Sequence, residues 1–296
     1  MDIAAAAQLA CLLEVSAPKP GNVSRLSAFA DTAYEHFLAS AAAIGAPLGA
    51  AGDRPLGDTI HDCIRATRRW TRVNTNLGIV LLLAPIARAA ARSGAGRSTI
   101  DSTDLRTAVG DVLANTTVAD AREVYAAIRL ASPGGLGTVD SQDVADEPTV
   151  TLREAMLLAA DRDDIAREYA TVFEVTFEIA APALNGALNA GLGWSDAVVE
   201  TFLTLLAMRA DTHIARRGGP ALAAAVSSQA RAALHEGGVR TDRGRAGIAR
   251  LDESLRGGDN LTNPGTTADL TAAAIFVVLL GGGWHSRTGG IDAAAR

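Results

Sequence analysis

Four polar stretches of this 296-residue chain carry side chains whose types and spacing suit the handling of phosphate groups. The first, SAPKPGNVSR at residues 16–25, holds Lys19, the only lysine present; arginine supplies every other basic side chain of the Lys/Arg class. Pro18 and Pro20 stiffen the backbone around it, and Gly21 permits a sharp turn or a close ligand approach. Lys19 and Arg25 could present fixed positive charge to a phosphate, with Asn22 and Ser24 donating hydrogen bonds. The alternative is a solvated lysine in a loop between two helices. The second stretch, RRWTRVNTNLG at residues 68–78, adds Arg68, Arg69 and Arg72 to Arg65 on the preceding helix. Asn74, Thr75 and Asn76 then begin a strongly apolar helix, and a helix N-terminus with open N–H groups favours anions. An ordinary cap beside a solvated basic face is the competing reading.

The third stretch, MRADTHIARRGG at residues 208–219, places Asp211 in register with Leu203, Ala207, Ile214 and Ala215, along an apolar stripe. Burying a carboxylate there costs several kcal/mol unless a metal, a base or hydrogen-bond donors meet it. Arg216 and Arg217 make a second basic helix end, and a structural salt bridge to Asp211 is the simpler account. In the fourth stretch, NPGTTADL at residues 263–270, Thr266 and Asp269 fit a capping box. The functional alternative has Asp269 join Asp211 around a magnesium ion or a reacting hydroxyl. Glu14, one turn before Lys19, is a further carboxylate. The five histidines form no H-x-x-x-H pair, which disfavours zinc, and nucleophile-elbow, Walker A and dinucleotide motifs are absent.

The elements that must position these groups are helical. Strand signals are nearly absent, and 3.6-residue periodicity predicts helices over roughly 2–16, 33–46, 57–72, 76–92, 103–114, 118–131, 151–160, 163–190, 195–216, 220–236, 242–255 and 267–280. The expected architecture is all-α, one compact domain of about 12 helices over residues 1–296. Its one long irregular segment, rich in Gly and Asp at about 132–150, is either an active-site lid or a mobile loop. A net charge of −6 excludes a general field for nucleic acid or acidic lipid, so any anion must be caught locally. The N-terminal residues lack an export pattern, and the apolar runs are shorter than the about 20 residues a bilayer requires. Two cysteines without metal-type spacing fit reduced thiols in a cytoplasmic protein. The Ala-rich helices could mediate a homodimer.

Taken in series, Glu14-x4-PKPG-NVSR, VNTNLG, the Gly-rich loop at 132–137, ADTHIARRGG and NPGTTADL resemble the triphosphoribosyl-dephospho-coenzyme A synthase family over almost the whole chain. The resemblance implies an all-helical transferase with small-molecule nucleotide substrates. It would move the triphosphoribosyl unit of ATP to the ribose 2′-hydroxyl of dephospho-coenzyme A and release adenine, building a prosthetic-group precursor. It implies phosphate and nucleotide contacts by Lys19, Gly21, Asn22, Arg25, Asn74, Thr75, Asn76, Arg216 and Arg217, and catalysis by Asp211 and Asp269. Mg²⁺ would sit among Glu14, Asp211 and Asp269. The chain departs from the family pattern PKPGLVDR at Asn22 and Ser24, and from NTHKG at Asn76 and Leu77. Those departures keep open a related phosphoribosyl transfer to another acceptor, as in tetrahydromethanopterin biosynthesis, and a non-catalytic nucleotide-binding protein.

Overall fold

Apolar residues recurring every three or four positions fold as helices throughout the computed structural model, which describes residues 2–94, 97–257 and 260–284. In chain order these are α1 (Ile3–Ser16), α2 (Tyr34–Ala43), α3 (Gly45–Gly49), α4 (Leu56–Arg68), α5 (Leu77–Ser93), α6 (Ser102–Ala114), α7 (Val118–Ala131) and α8 (Leu152–Ala159). They continue with α9 (Asp164–Thr171), α10 (Ala181–Asn189), α11 (Trp194–Met208), α12 (Thr212–Gly218), α13 (Pro220–His235), α14 (Asp242–Leu255) and α15 (Gly265–Leu280). All twelve expected segments are present, three of them subdivided. No strand occurs among the described residues; one isolated bridge, Ser24 to Ser27, closes a turn. Residues 285–296 of the expected domain lie outside the described residues.

Two helices form the centre. α15 is apolar on every side and packs against α1, α5, α10 and α11, the pattern of a helix buried all round. α5 runs through the core beside α15 and α6 although it contains Pro85. Proline has no N–H to give the carbonyl four residues back, so Leu81 loses its helical donor. The Tyr169 hydroxyl, fully buried on α9, donates to that carbonyl at 2.7 Å and fills the gap. Around this centre α4 and α7 run parallel. Gly57 lies so close to Asp120 that a Cβ on it would come within 2.6 Å of the Asp120 Cα. One turn on, His61 Nδ1 meets Glu123 at 2.6 Å. Their C-terminal ends therefore emerge side by side.

The expected helix over 163–190 breaks because Val172 and Phe173 adopt φ of 53° and 56°. The Glu168 carboxylate, wholly buried, accepts from the N–H groups of Val175 and Thr176 at 2.9 Å each and starts a π-helical stretch, Val175–Ala180, that leads into α10. Arg106 donates to the Val172 carbonyl at 2.9 Å across the break. The expected helix over 195–216 breaks at Arg209–Asp211, where Arg209 is extended and Asp211 caps α12. The Thr266–Asp269 capping box is also absent. α15 begins at Gly265, so Thr266 lies inside the first turn, and the cap on that turn comes from Asp211 of another helix.

Candidate functional site

The C-terminal ends of α1, α4 and α7 and the N-terminal ends of α5, α9, α12 and α15 open onto one cavity of about 1350 Å³. That exceeds the roughly 300–1,000 Å³ usual for one small ligand. Partial positive charge from the N-termini of α5 and α15 adds to Arg68, Arg72, Arg216 and Arg217 along its walls. Apolar side chains also line it, with Tyr125, Ile128, Leu152 and Met156 from α7 and α8 and Val139 from the 132–150 segment, interspersed with Arg129, Asp143 and Arg162.

Asp211 is the pin of the corner where α12 meets α15. Its Oδ1 accepts from the Ile214 N–H at 3.0 Å, and its Oδ2 accepts from both the N–H and the hydroxyl of Thr267 at 2.7 Å. One buried carboxylate thus caps two helix starts, and Thr212 and Thr266 hydroxyls meet beside it at 3.2 Å. Burial raises its pKa, opposed by the Thr267 donors. Asp211 does not line the cavity.

Asp269 does line it. Its carboxyl lies against the first turn of α5, where a Cβ on Gly78 would come within 2.0 Å of Oδ2. Burial, and then the charges of Glu14, Asp211 and Asp163, hold it well above the usual carboxylate range, with Arg216 opposing. It is therefore a carboxyl whose burial favours the protonated form, on the wall of the cavity. On the same wall the His213 ring is partly buried, with Nδ1 at 3.0 Å from the Asn263 carbonyl oxygen.

The PKPG turn behaves differently. Lys19 is 1% exposed. Its ammonium meets the Glu14 carboxylate at 2.9 Å, the Ala17 carbonyl at 3.2 Å and the Glu14 carbonyl, which accounts for all three N–H donors. The ammonium is thus engaged within the chain and fixes Glu14, which does line the cavity. Gly21, at φ 74°, donates its N–H to Asp252 of α14 at 2.8 Å and leaves no room for a Cβ beside Leu255. Arg25 is exposed and outside the cavity lining. Asn22 reaches the cavity and donates to the Asn263 side-chain oxygen at 2.7 Å.

Asn74, Thr75 and Asn76 all border the cavity. Asn74 Oδ1 accepts from the Leu77 N–H at 3.1 Å, Thr75 shares a hydrogen bond with Ser40 at 2.5 Å, and Asn76 donates to Thr67 at 3.0 Å. Asn76 stands at the N-cap of α5 with no side-chain capping bond of its own, and Asn74 caps the Leu77 N–H in its place. Arg216 pairs with Asp163 at 2.6 Å, and Arg217 donates to the Asn260 carbonyl at 3.0 Å. The Gly-rich loop lies over both, since a Cβ on Gly135 would meet the Arg217 side chain at 3.1 Å. Of the arginines near α4, Arg68 and Arg72 face the cavity, whereas Arg65 and Arg69 are exposed and outside its lining.

The expected magnesium set is not assembled. No group of three or more acidic, His or Cys side chains suited to a metal exists among the described residues. Both oxygens of Asp211 are engaged, and Glu14 is held by Lys19. Sequence reasoning passed over His213 and Asp163, although Asp-Thr-His before a basic helix end was a cap signal.

The profile of the CitG family, described as ATP:dephospho-CoA triphosphoribosyl transferase, matches residues 1–288. A Citrobacter koseri protein named as a probable 2-(5''-triphosphoribosyl)-3'-dephosphocoenzyme-A synthase is 28% identical over 90% of this chain and 87% of its own length. A Pseudomonas putida protein of the same name is 35% identical, but over only 32% of this chain and 34% of its own. A crystal structure of a "putative triphosphoribosyl-dephospho-coA synthase" from Archaeoglobus fulgidus superposes with a TM-score of 0.66 and 29% identity, covering 84% of this chain and 99% of that one.

Proposed function

This chain belongs to the ATP:dephospho-CoA triphosphoribosyl transferase (CitG) family, and from that premise we propose that its cavity transfers the triphosphoribosyl unit of ATP to the 2′-hydroxyl of dephospho-coenzyme A, with adenine leaving. The observation that carries this reading is a roomy cavity of about 1350 Å³ with basic groups on its walls and a carboxyl of raised pKa, Asp269, lining it.

The reaction breaks the ribose–adenine bond, and its electron pair leaves on a base that is a poor leaving group as an anion. Proton delivery to adenine as the bond lengthens is worth about 10²- to 10⁴-fold. Asp269 suits that delivery, because burial and neighbouring carboxylates raise its pKa and favour its protonated form. Asn74, Thr75, Asn76 and the first turn of α5 receive phosphate oxygens together with Arg216 and Arg217. Asp211 is a positioning residue that locks α12 to α15. Lys19 acts at one remove by orienting Glu14, and Gly21 holds the turn against α14. Magnesium carried in on the triphosphate would be part of the substrate, not of a protein-built site.

The direct test incubates the purified protein with ATP, with and without dephospho-coenzyme A, and measures free adenine by chromatography. Adenine release that requires both substrates is expected; none with both present would sink the assignment. A second acceptor is worth including for a specific reason. Asn22, Asn76 and Leu77, three departures from the family pattern, all line the cavity. Adenine release that depends on a different acceptor, such as a pterin-pathway phenol or alcohol, would preserve the transfer and replace the acceptor.

A further inference from the structure

We propose that His213 is the base that takes the proton from the acceptor hydroxyl, an assignment that rests on reading the cavity as the transferase site. The ring lines the cavity from the first turn of α12. A carbonyl oxygen only accepts, so the 3.0 Å contact between Nδ1 and the Asn263 carbonyl requires the proton to be on Nδ1. In the neutral ring Nε2 then carries the lone pair, and it makes no hydrogen bond among the described residues. The ring's place is fixed by close packing: a Cβ on Gly265 would come within 2.8 Å of Nδ1, so only glycine at that position admits it.

Burial suits a neutral ring. It is the largest influence and works against protonation, Asp211 and the Asn263 carbonyl work for it, and Arg216 and Arg217 on the same helix work against it. Asp211 is also engaged by Thr267 and Ile214, Asp163 is paired with Arg216, and Asp269 on α15 has its pKa raised by burial. The spacing is equally telling. Gly265, on which His213 packs, and Asp269 are four residues apart and share one face of α15. The base and the acid therefore line the cavity at the same face of α15.

The step balances. The hydroxyl gives its proton to Nε2 while its oxygen lone pair forms the new bond to the ribose anomeric carbon. The carbon–nitrogen bond breaks, its electron pair goes to adenine, and Asp269 supplies the proton adenine takes up. Proton return from the imidazolium to the Asp269 carboxylate, directly or through solvent, resets both groups. ATP and the alcohol become the ribosyl ether and adenine with no further reactant.

His213→Asn separates the base from the scaffold, because the amide N–H can still donate to the Asn263 carbonyl while Nε2 is lost. Adenine release with ATP and dephospho-coenzyme A should fall about 10²- to 10⁴-fold, with ATP binding measured by calorimetry unchanged within about threefold, as expected of a group acting in the transition state. In His213→Gly, added imidazole should restore part of the rate. If wild type is active and the Asn variant keeps its turnover within about threefold, or if activity and ATP binding fall together and imidazole restores nothing, the assignment to His213 is overturned. A wild type that releases no adenine overturns the transferase reading first, and this one with it.

Discussion

The PKPG turn and the α12–α15 corner were equally prominent as charged, glycine-bearing sequence, and the fold uses them in opposite ways. At the turn every donor of Lys19 is satisfied from within, by Glu14 and Ala17, and the side chain is sealed from solvent. At the corner one aspartate is saturated by helix caps, while the next, Asp269, and the neighbouring His213 keep an open edge toward the cavity. A buried charge with all its partners is architecture; a buried titratable group with a side left open can do chemistry. The distinction lies in hydrogen-bond completion, which composition does not record.

The sharpest way to break this contrast is Asp269→Asn. Turnover should fall about 10²- to 10⁴-fold without loss of thermal stability, since the amide removes a carboxyl crowded by Glu14, Asp211 and Asp163. Retained turnover, read as adenine release, would move the acid elsewhere. Lys19→Met should do the reverse, destabilising the fold by about 3–5 kcal/mol in urea unfolding because Glu14 is left as an unpaired buried charge. Adding Glu14→Gln should recover much of that. If Lys19→Met instead leaves stability intact and weakens ATP binding alone, the turn belongs to the phosphate site after all.

Gly78→Ala sharpens the comparison from the other side. Its Cβ would collide with Asp269 Oδ2, so the carboxyl must swing away. Activity should drop roughly 10- to 100-fold, as expected for a displacement near 1 Å. Stability should hold or rise slightly, because alanine favours helix over glycine by about 1 kcal/mol. The smallest effect is on the pH dependence of unfolding. Asp269 holds its proton in the folded state at pH values where the unfolded chain releases it. Its contribution to stability is thus full below its ordinary carboxylate pKa and is lost as pH rises through the raised one. Glu168, pushed up to about 7 chiefly by burial, acts with the same sign. Urea titrations across pH 4 to 8 should show Asp269→Asn with a shallower decline than wild type.

Periodicity made the helices legible, and the clustering of their ends follows once α4 and α7 are seen to run parallel. Three local features were not legible, each for a physical reason. Val172 and Phe173 take left-handed backbone without a glycine to announce it, because Glu168 and Arg106, far apart in sequence, hold that break. The apolar register of α11 continues smoothly into α12, which hides the extended residue Arg209; Asp211 and Thr212 were the only local sign of a new helix start. Thr266 and Asp269 have capping-box spacing, but the donor Thr267 N–H is claimed by Asp211, 56 residues upstream. Asp211 was picked out as a buried carboxylate, and it is one, although through a cap and not through the helical stripe that suggested it.

The single lysine has a practical corollary. With its ε-amine enclosed in the folded chain and no other lysine present, acylating reagents should leave side-chain amines untouched until the PKPG turn opens. One added acyl group on Lys19, located by peptide mass spectrometry, would then count opening events at a defined point. The same chemistry should leave the ligand-binding face unmodified, which makes amine-reactive labelling a gentle reporter of local unfolding in the working enzyme.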